Sequence, residues 1–79
     1  MRREDKWIRF VEPHGLTRIY QRGITREQVA TVLRRPDTVR RAKHGGKRFE
    51  KSLSPRRRIA VIAEETGDTL WVVTAFHVK

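Results

Sequence analysis

The half of the chain after Pro36 alternates short strand-like segments with very short turn signals. His44-Gly45-Gly46, Ser54-Pro55 and Thr66-Gly67-Asp68 are each typical of a tight turn between two strands. Connections this short cannot lead to a parallel neighbour, because a parallel pair needs a crossover of a dozen or more residues. The sequence therefore predicts an antiparallel meander. Its four strands are expected at residues 38–43, 47–53, 56–64 and 70–78.

The first half of the chain carries two helix signals behind one short strand. Residues 6–12 mix aromatic and β-branched side chains and predict the strand. From residue 14 to 22 apolar residues recur at three- and four-residue steps, and Gly23 is typical of a residue that ends a helix. The run from Thr25 to Gln28 has the form of a capping box, so a second helix begins there and ends before Pro36.

These elements predict one α+β domain over residues 1–79, with a short N-terminal strand and two helices packed on a four-stranded antiparallel sheet. Five consecutive apolar residues, Ile59 to Ala63, predict a central strand that is covered on both faces. Strict alternation in the last strand would place Thr74 with Leu70 and Val72 on one face and His77 on the other.

The positive charge of the chain is concentrated in one segment. The net charge is +10, from 19 Lys and Arg against 9 Asp and Glu. Eleven of the cations and only two of the acids lie between Arg34 and Arg58, and most of these cations fall on two predicted strands and their turns. This density is typical of a surface that binds phosphate groups, and Arg in preference to Lys favours forked contacts to phosphate oxygens. The alternative is charge placed on exposed strands to block edge-to-edge aggregation.

Nucleic acid is therefore the expected partner, and RNA is favoured over DNA because no helix-turn-helix with a polar recognition helix is visible. Phe49 is the only aromatic residue inside the basic segment, which gives only a weak signal for a base-stacking platform. An acidic protein is the other kind of partner that such a charge would attract. The residues expected to bind RNA are Arg40, Arg41, Lys43, Lys47, Arg48, Arg56 and Arg58.

Composition argues against several other kinds of site. Without cysteine the chain has no disulfide, thiolate metal ligand or cysteine nucleophile. The histidines, His14, His44 and His77, have no paired spacing and the acids do not cluster, so neither a metal nor another cofactor is expected. No run approaches the ~18 apolar residues of a membrane span, and the charged N-terminal segment is unlike a signal peptide. A cytoplasmic protein without membrane contact is expected.

One stripe of the first predicted helix has residue types suited to phosphodiester chemistry. His14, Arg18 and Arg22 recur at four-residue steps and so lie on one side of the helix. Two guanidinium groups can bind a phosphate and stabilise the charge of its transition state, while an imidazole moves a proton near neutral pH. A solvated helix face has the same spacing, and spacing by itself favours that second interpretation.

The run from His14 to Ile24 has the pattern H-x3-R-x3-R-G-I and resembles the signature of the domain-of-unknown-function family 4258. The resemblance continues through the capped second helix, Pro36 to Val39, the variable basic hairpin, Val61 and Val73 to Ala75. It covers nearly the whole chain in the same order. That family is similar to the RelE/ParE-like toxins, which include the BrnT ribonuclease toxins.

This resemblance implies a RelE-like fold and a metal-independent endoribonuclease of a toxin–antitoxin system. Such an enzyme would cleave RNA, including ribosome-bound mRNA, and so inhibit translation, and its partner would be an acidic antitoxin protein. The 2′-hydroxyl of RNA would attack the neighbouring phosphate. The alternative is a non-catalytic nucleic-acid-binding or protein-interaction module on the same fold, because a shared fold does not establish catalysis.

The resemblance also assigns candidate catalytic residues. The matched positions are His14 as the acid/base group, Arg18 and Arg22 as phosphate ligands, and Thr74 in the last strand. Phe76 stands where relatives often have tyrosine, which removes one candidate hydroxyl. Two further catalytic cations are added from charge and position only. They are Lys51 and Arg57.

Overall fold

Two helices lie on one face of a mixed six-stranded sheet in a computed structural model, which describes residues 2–3, 6–11, 15–43 and 45–79. The strands lie side by side in the order β1-β2-β6-β5-β4-β3. The elements along the chain are β1 (Arg2–Arg3), β2 (Lys6–Phe10), α1 (Gly15–Gln21), α2 (Arg26–Arg34), β3 (Thr38–Arg41), β4 (Lys47–Ser54), β5 (Arg57–Thr66) and β6 (Thr69–Val78).

The meander predicted after Pro36 is confirmed. Each of β3, β4, β5 and β6 pairs antiparallel with the next, and their bounds lie within two residues of the predicted ones. Phe49 pairs with Val61, and Val61 pairs with Ala75, so one row of buried apolar side chains crosses three strands. The apolar run in β5 therefore lies in the middle of the sheet, as its composition predicted.

The α+β class is confirmed, but the prediction of a four-stranded antiparallel sheet is wrong. β2 pairs with β6 in parallel, with Ile8 beside Leu70 and Phe10 beside Val72, and β1 adds an antiparallel strand outside β2. The connection between β2 and β6 contains both helices and the rest of the meander. Short turns within the meander carry no information about this long connection, so the fifth and sixth strands were not expected in the sheet.

Local signals determine where the helices begin and end. The hydroxyl of Thr25 accepts a hydrogen bond from the Gln28 amide at 3.2 Å, and the Gln28 side chain accepts one from the Thr25 amide at 2.9 Å, which confirms the capping box. Gly23 has a φ of +75°, and the Ile24 amide donates to the Ile19 carbonyl at 3.1 Å. This bond closes a Schellman motif and ends α1.

Both helices pack against the same face of the sheet, which we call the helix face. Burial of a large aliphatic side chain contributes about 1.5–3 kcal/mol, so this layer supplies most of the stabilisation. The opposite side of the sheet, on which neither helix lies, we call the open face. The largest fully buried side chains of the helix-face core are Ile19, Ile24, Val29, Val32, Leu33, Phe49, Ile59, Val61, Leu70 and Val72.

A β-bulge in β6 changes which side chains reach each face. Ile62 pairs with Thr74, but the next residue, Ala63, pairs with Val72, so Val73 has no register partner. One extra residue reverses the alternation on either side of it. The sequence placed Thr74 on the same face as Val72, and this was wrong, because the bulge turns Thr74 to the open face.

The same bulge brings His77 to the helix face. Leu70 and Ala75 are both buried there although they are five positions apart, an odd offset that strict alternation would not allow. His77 follows Ala75 by two residues, and its ring reaches the end of α1. The sequence had placed His77 on the face opposite Leu70.

Candidate nucleic-acid interface

A cavity of about 550 Å³ lies on the open face of the sheet. One row of register partners crosses it on four strands, and these are Arg40 on β3, Arg48 on β4, Ile62 on β5 and Thr74 on β6. Side chains in one row stand on the same face of a sheet, so the row forms the floor of the cavity. The remaining lining residues are Arg41, Ala42, Lys43, Gly45, Glu64 and Val73.

The tip of the β3–β4 hairpin is held against β5 by a glycine. Gly46 has a φ of +75°, and a Cβ atom there would stand 2.7 Å from the Ala63 carbonyl oxygen. The Gly46 carbonyl in turn accepts a hydrogen bond from the Ala42 amide at 3.1 Å. Only glycine permits this backbone conformation together with this close approach. β3 and β4 pair antiparallel on either side of the predicted turn, and His44 lies outside the described residues.

A buried carboxylate organises three of the arginines that the sequence assigned to RNA. The Glu50 side chain is 5% exposed and accepts hydrogen bonds from Arg40 Nη2 at 2.8 Å, Arg48 Nε at 2.6 Å and Arg58 Nε at 3.0 Å. Burial by itself would raise the pKa of Glu50, but the hydrogen bonds from these three guanidinium groups lower that pKa to about 2. Glu50 is therefore ionised at neutral pH and fixes the positions of the three cations.

Arg48 has two partners within the open face. Its guanidinium group lies 5.1 Å from the centre of the Phe76 ring, and its Nε donates a hydrogen bond to Glu50 at 2.6 Å. A cation over an aromatic face is attracted by the ring quadrupole, so Phe76 adds to the orientation of Arg48. Phe76 therefore has a structural role, because its ring helps to hold Arg48 beside the cavity.

The structure brings two of the predicted catalytic residues together. Arg22 Nη1 donates to Thr74 Oγ1 at 2.8 Å and to the Ala75 carbonyl at 2.9 Å. β2 pairs with β6 only as far as Val72, and the Ala75 carbonyl beyond that point accepts from Arg22 instead. Since Thr74 also lines the cavity, it links Arg22 to the cationic wall.

The other predicted catalytic residues are placed elsewhere. Arg18 is exposed on α1, and its side chain has no hydrogen bond or ion pair with another described residue. Lys51 is the register partner of the core residue Ile59, so its side chain leaves the sheet on the helix face. Its Nζ lies 3.5 Å from an Asp37 carboxylate oxygen. His14 lies outside the described residues.

Arg57 and His77 both donate to carbonyl groups at the end of α1. Arg57 Nη2 donates to the Gly23 carbonyl at 2.7 Å, and His77 Nε2 donates to the Arg22 carbonyl at 2.8 Å. The last carbonyls of a helix have no partner within it and carry its negative dipole end, so cationic and N–H donors stabilise them. Arg57 also donates to the side-chain oxygen of Gln28 at 3.2 Å. These contacts give Arg57 and His77 a role in anchoring α1 to the sheet.

The residues predicted to bind RNA divide into two groups. Arg40, Arg41, Lys43 and Arg48 line the cavity, whereas the remaining ones do not. Lys47 lies 3.6 Å from Glu65, Arg56 is exposed in the turn between β4 and β5, and Arg58 contacts Glu50 and Asp37. Within the described part of the chain, the side chains of Arg41 and Lys43 form no ion pair or hydrogen bond with a protein group.

Two features of the open face were not predicted from the sequence. Glu64 contributes a carboxylate to the cavity wall. Its register partner is Trp71, and Trp7 lies diagonally from Trp71 on the next strand; Trp7 and Trp71 are 45% and 37% exposed. The only stacking residue suggested by the sequence was Phe49, and that ring is buried in the core. No local signal could have found the tryptophan pair, because it depends on the parallel pairing of β2 with β6.

Comparisons with protein-family models, with curated proteins and with solved structures found no match to this chain. Neither α1 nor α2 is long and apolar enough to cross a membrane. Across residues 2–3, 6–11, 15–43 and 45–79, no three His, Asp or Glu side chains are grouped so that they could hold a metal ion. The assignment of a function therefore depends on the chemistry of the open face.

Proposed function

We propose that this domain binds RNA in the open-face cavity and cleaves it there without a metal ion, as a toxin-like endoribonuclease of a toxin–antitoxin system that inhibits translation. The observation that carries the proposal is the register row of Arg40, Arg48, Ile62 and Thr74, together with Arg41 and Lys43, which also line the cavity. Four cationic residues thus line one concave surface that is wide enough for a phosphodiester group.

The reaction needs groups that bind the phosphate, activate the 2′-hydroxyl and protonate the leaving oxygen. The 2′-oxygen would form a bond to the adjacent phosphorus while the bond to the 5′-oxygen breaks, leaving a 2′,3′-cyclic phosphate and a 5′-hydroxyl. Arg41 and Lys43 would bind the phosphate oxygens, and charge on the pentacoordinate transition state would be stabilised by the same groups. The Glu64 carboxylate would accept the 2′-hydroxyl proton, which is a role suited to a general base within reach.

Thr74 and Arg22 would position the phosphate at the other end of the row. The Thr74 hydroxyl accepts from Arg22 and keeps its own proton available for donation to a phosphate oxygen. His14, which the family resemblance makes the acid/base candidate, would protonate the 5′-oxygen. An acidic antitoxin would be attracted to the same cations and would block the cavity.

The experiment incubates purified protein with single-stranded and ribosome-bound RNA in EDTA and follows the products on a gel. Arg41→Gln with Lys43→Gln removes the two cavity cations that have no ion pair within the described chain, so cleavage is expected to fall at least about tenfold. Arg35→Gln is the matched control, because Arg35 is an exposed cation that does not line the cavity. Equal cleavage by both variants would remove the cavity from the mechanism.

Glu64→Gln separates catalysis from binding. Removing a carboxylate that faces the phosphates should leave RNA affinity unchanged or higher, whereas loss of a general base should lower the cleavage rate about 10²-fold or more. A variant that cleaves like the wild type would exclude Glu64 as the base. His14→Ala tests the other acid/base candidate in the same way.

A second function, RNA binding without cleavage, is favoured by the contacts of Arg22 and Arg57. Both guanidinium groups already donate to backbone carbonyls, at Ala75 and Gly23, which gives them structural roles independent of RNA. Under this alternative, RNA would bind in the cavity with an affinity that falls steeply with salt, and no product would form from any RNA. The same gel and a binding titration therefore distinguish the two functions.

A further inference from the structure

The open face carries two exposed tryptophans on neighbouring strands. Trp7 pairs with Thr69, and Arg9 pairs with Trp71 in the parallel register of β2 and β6. Trp7 and Trp71 are therefore diagonal neighbours on one face, at a separation that large aromatic side chains can bridge. They are 45% and 37% exposed, so each ring presents surface to the solvent.

Trp71 is held in place from the polar edge of its ring. Its Nε1 donates to the Thr66 hydroxyl at 3.0 Å, and both residues stand on the open face of the sheet. This hydrogen bond satisfies the polar atom of the indole and restricts the rotation of the ring. The exposed part of the side chain is then a fixed apolar surface.

The tryptophan pair is continuous with the cationic cavity. Trp71 pairs across the strands with Glu64, and it precedes Val73 and Thr74 in β6. All three of these residues line the cavity. From β2 to β3 the face spans four strand-to-strand spacings of about 4.8 Å each, or roughly 19 Å. The tryptophan rings lie at the β2 end of this face, and the cations proposed to bind phosphate lie at the β3 end.

We propose that Trp7 and Trp71 form a stacking platform for unpaired bases, so that the open face binds single-stranded RNA. This inference rests on the proposed RNA binding at the cavity and adds the class of RNA that is bound. Aromatic side chains stack on any base, and a basic groove follows the backbone. Paired bases are already stacked in a duplex and cannot lie on the rings.

Charge on the face favours this occupant over an apolar protein segment. Arg9 lies opposite Trp71 and two residues along β2 from Trp7, on the same face, and Arg48, Arg41 and Lys43 add positive charge towards β3. Among the described residues that line the cavity, four are cationic and one, Glu64, is acidic. Rings interspersed with cations match a polymer that presents bases and phosphates in alternation.

The chain contains two tryptophans, so intrinsic fluorescence reports on the platform directly. Titration of the wild-type protein with a uridine oligonucleotide should quench the emission, because stacked bases quench indole. Heparin, a polyanion without bases, should bind without that quenching. Trp7→Phe and Trp71→Phe leave one reporter each, and both single-tryptophan proteins should be quenched.

Affinity measurements add a second readout. Trp71→Ala should weaken binding of the single-stranded oligonucleotide about tenfold, with Trp71→Phe restoring most of the loss and heparin affinity unchanged. Tyr20→Ala is the matched control, since Tyr20 is an aromatic residue of α1 that is 53% exposed and does not line the cavity. Circular dichroism of each variant checks that the sheet is formed.

The outcomes separate this inference from the function on which it rests. Binding of RNA without quenching, or equal losses for oligonucleotide and heparin in Trp71→Ala, would overturn the platform and leave RNA binding at the cavity intact. A duplex bound as tightly as the single strand would also overturn the platform. If neither RNA binds, both proposals fail together. Quenching by an acidic protein but not by RNA would show that the face has a protein partner.

Discussion

The guanidinium group of Arg22 donates to the Thr74 hydroxyl at 2.8 Å and thereby joins the end of α1 to the open-face cavity. The same group donates to the Ala75 carbonyl at 2.9 Å, on a part of β6 that β2 does not reach. Arg22, the residue directly after α1, thus donates to a backbone carbonyl that β2 does not reach. The same side chain fixes the position of Thr74 in the cavity.

Replacing Arg22 with methionine should lower the free energy of unfolding by about 1–3 kcal/mol, because two hydrogen bonds from a charged donor are lost. Thr74→Val removes only one of these contacts and should cost less, at about 1 kcal/mol. Urea unfolding measures both values. Arg18→Met is the control, since Arg18 is exposed one turn earlier in α1, and its effect should stay within about 0.5 kcal/mol. Equal effects at Arg18 and Arg22 would contradict this role.

The stability of the domain should depend on the charge of Glu50 in acid. Its pKa falls from 4.5 to about 2 on folding, so the carboxylate binds protons more weakly in the folded state. The stabilisation is therefore complete above pH 4.5 and is lost as the pH falls towards 2. It amounts to about 3 kcal/mol, at ~1.4 kcal/mol for each tenfold change in proton affinity.

Urea unfolding at several pH values tests this dependence against Glu50→Gln. The variant should be less stable than the wild type at pH 7, since three guanidinium groups then surround a neutral amide. Its stability should vary less between pH 4.5 and 2. A variant whose acid dependence matches the wild type would show that other carboxylates determine the acid response.

Gly46 should tolerate alanine far less well than Gly45, although both have positive φ angles of +75° and +98°. At Gly45 no atom lies within 4 Å of an added Cβ, so the cost is the backbone conformation alone, about 1–2 kcal/mol. At Gly46 the Cβ would stand 2.7 Å from the Ala63 carbonyl oxygen, and the hairpin tip must move.

The measurement compares thermal unfolding and RNA affinity for Gly45→Ala and Gly46→Ala. Both should be destabilised, and Gly46→Ala should in addition bind RNA more weakly because the hairpin cations move away from β5. If the two variants bind RNA equally well, the position of the hairpin tip has no part in binding.

The salt dependence of RNA binding should identify the cations that contact phosphate. For single-stranded RNA each lost contact should reduce the slope of log K against log salt by about 0.7. Arg41→Gln and Lys43→Gln should each show this change, as measured by fluorescence anisotropy over a salt series. Arg56→Gln should leave the slope unchanged, because Arg56 lies in the turn between β4 and β5 and does not line the cavity.

Features that depend on neighbouring residues were predicted well from the sequence. The capping box at Thr25, the glycine stop at Gly23 and all four strands of the meander follow from signals within a few residues. The concentration of cations on the β3–β4 hairpin was also predicted. Propensity, capping and turn chemistry act locally, so a local pattern is enough to locate these elements.

Features that depend on distant residues were not predicted. The parallel pairing of Ile8 with Leu70 joins segments about 60 residues apart, and no spacing rule indicates it. The bulge at Val73 adds one residue without a glycine to mark it, and this reversed the expected faces of Thr74 and His77. Glu50 is buried on the open face because three arginines cover it. From composition alone, a glutamate would be assigned to the solvent.

The parallel pairing of β2 with β6 has a consequence for the order in which the molecule folds. Hairpins of the meander close short loops, whereas β2 must close a loop of about 60 residues before it gains any contact with β6. We therefore expect β2 to add to the sheet late, and Trp7 to meet Trp71 only then. Tryptophan emission in a refolding experiment would accordingly follow the final assembly of the sheet, while circular dichroism would follow the earlier hairpins.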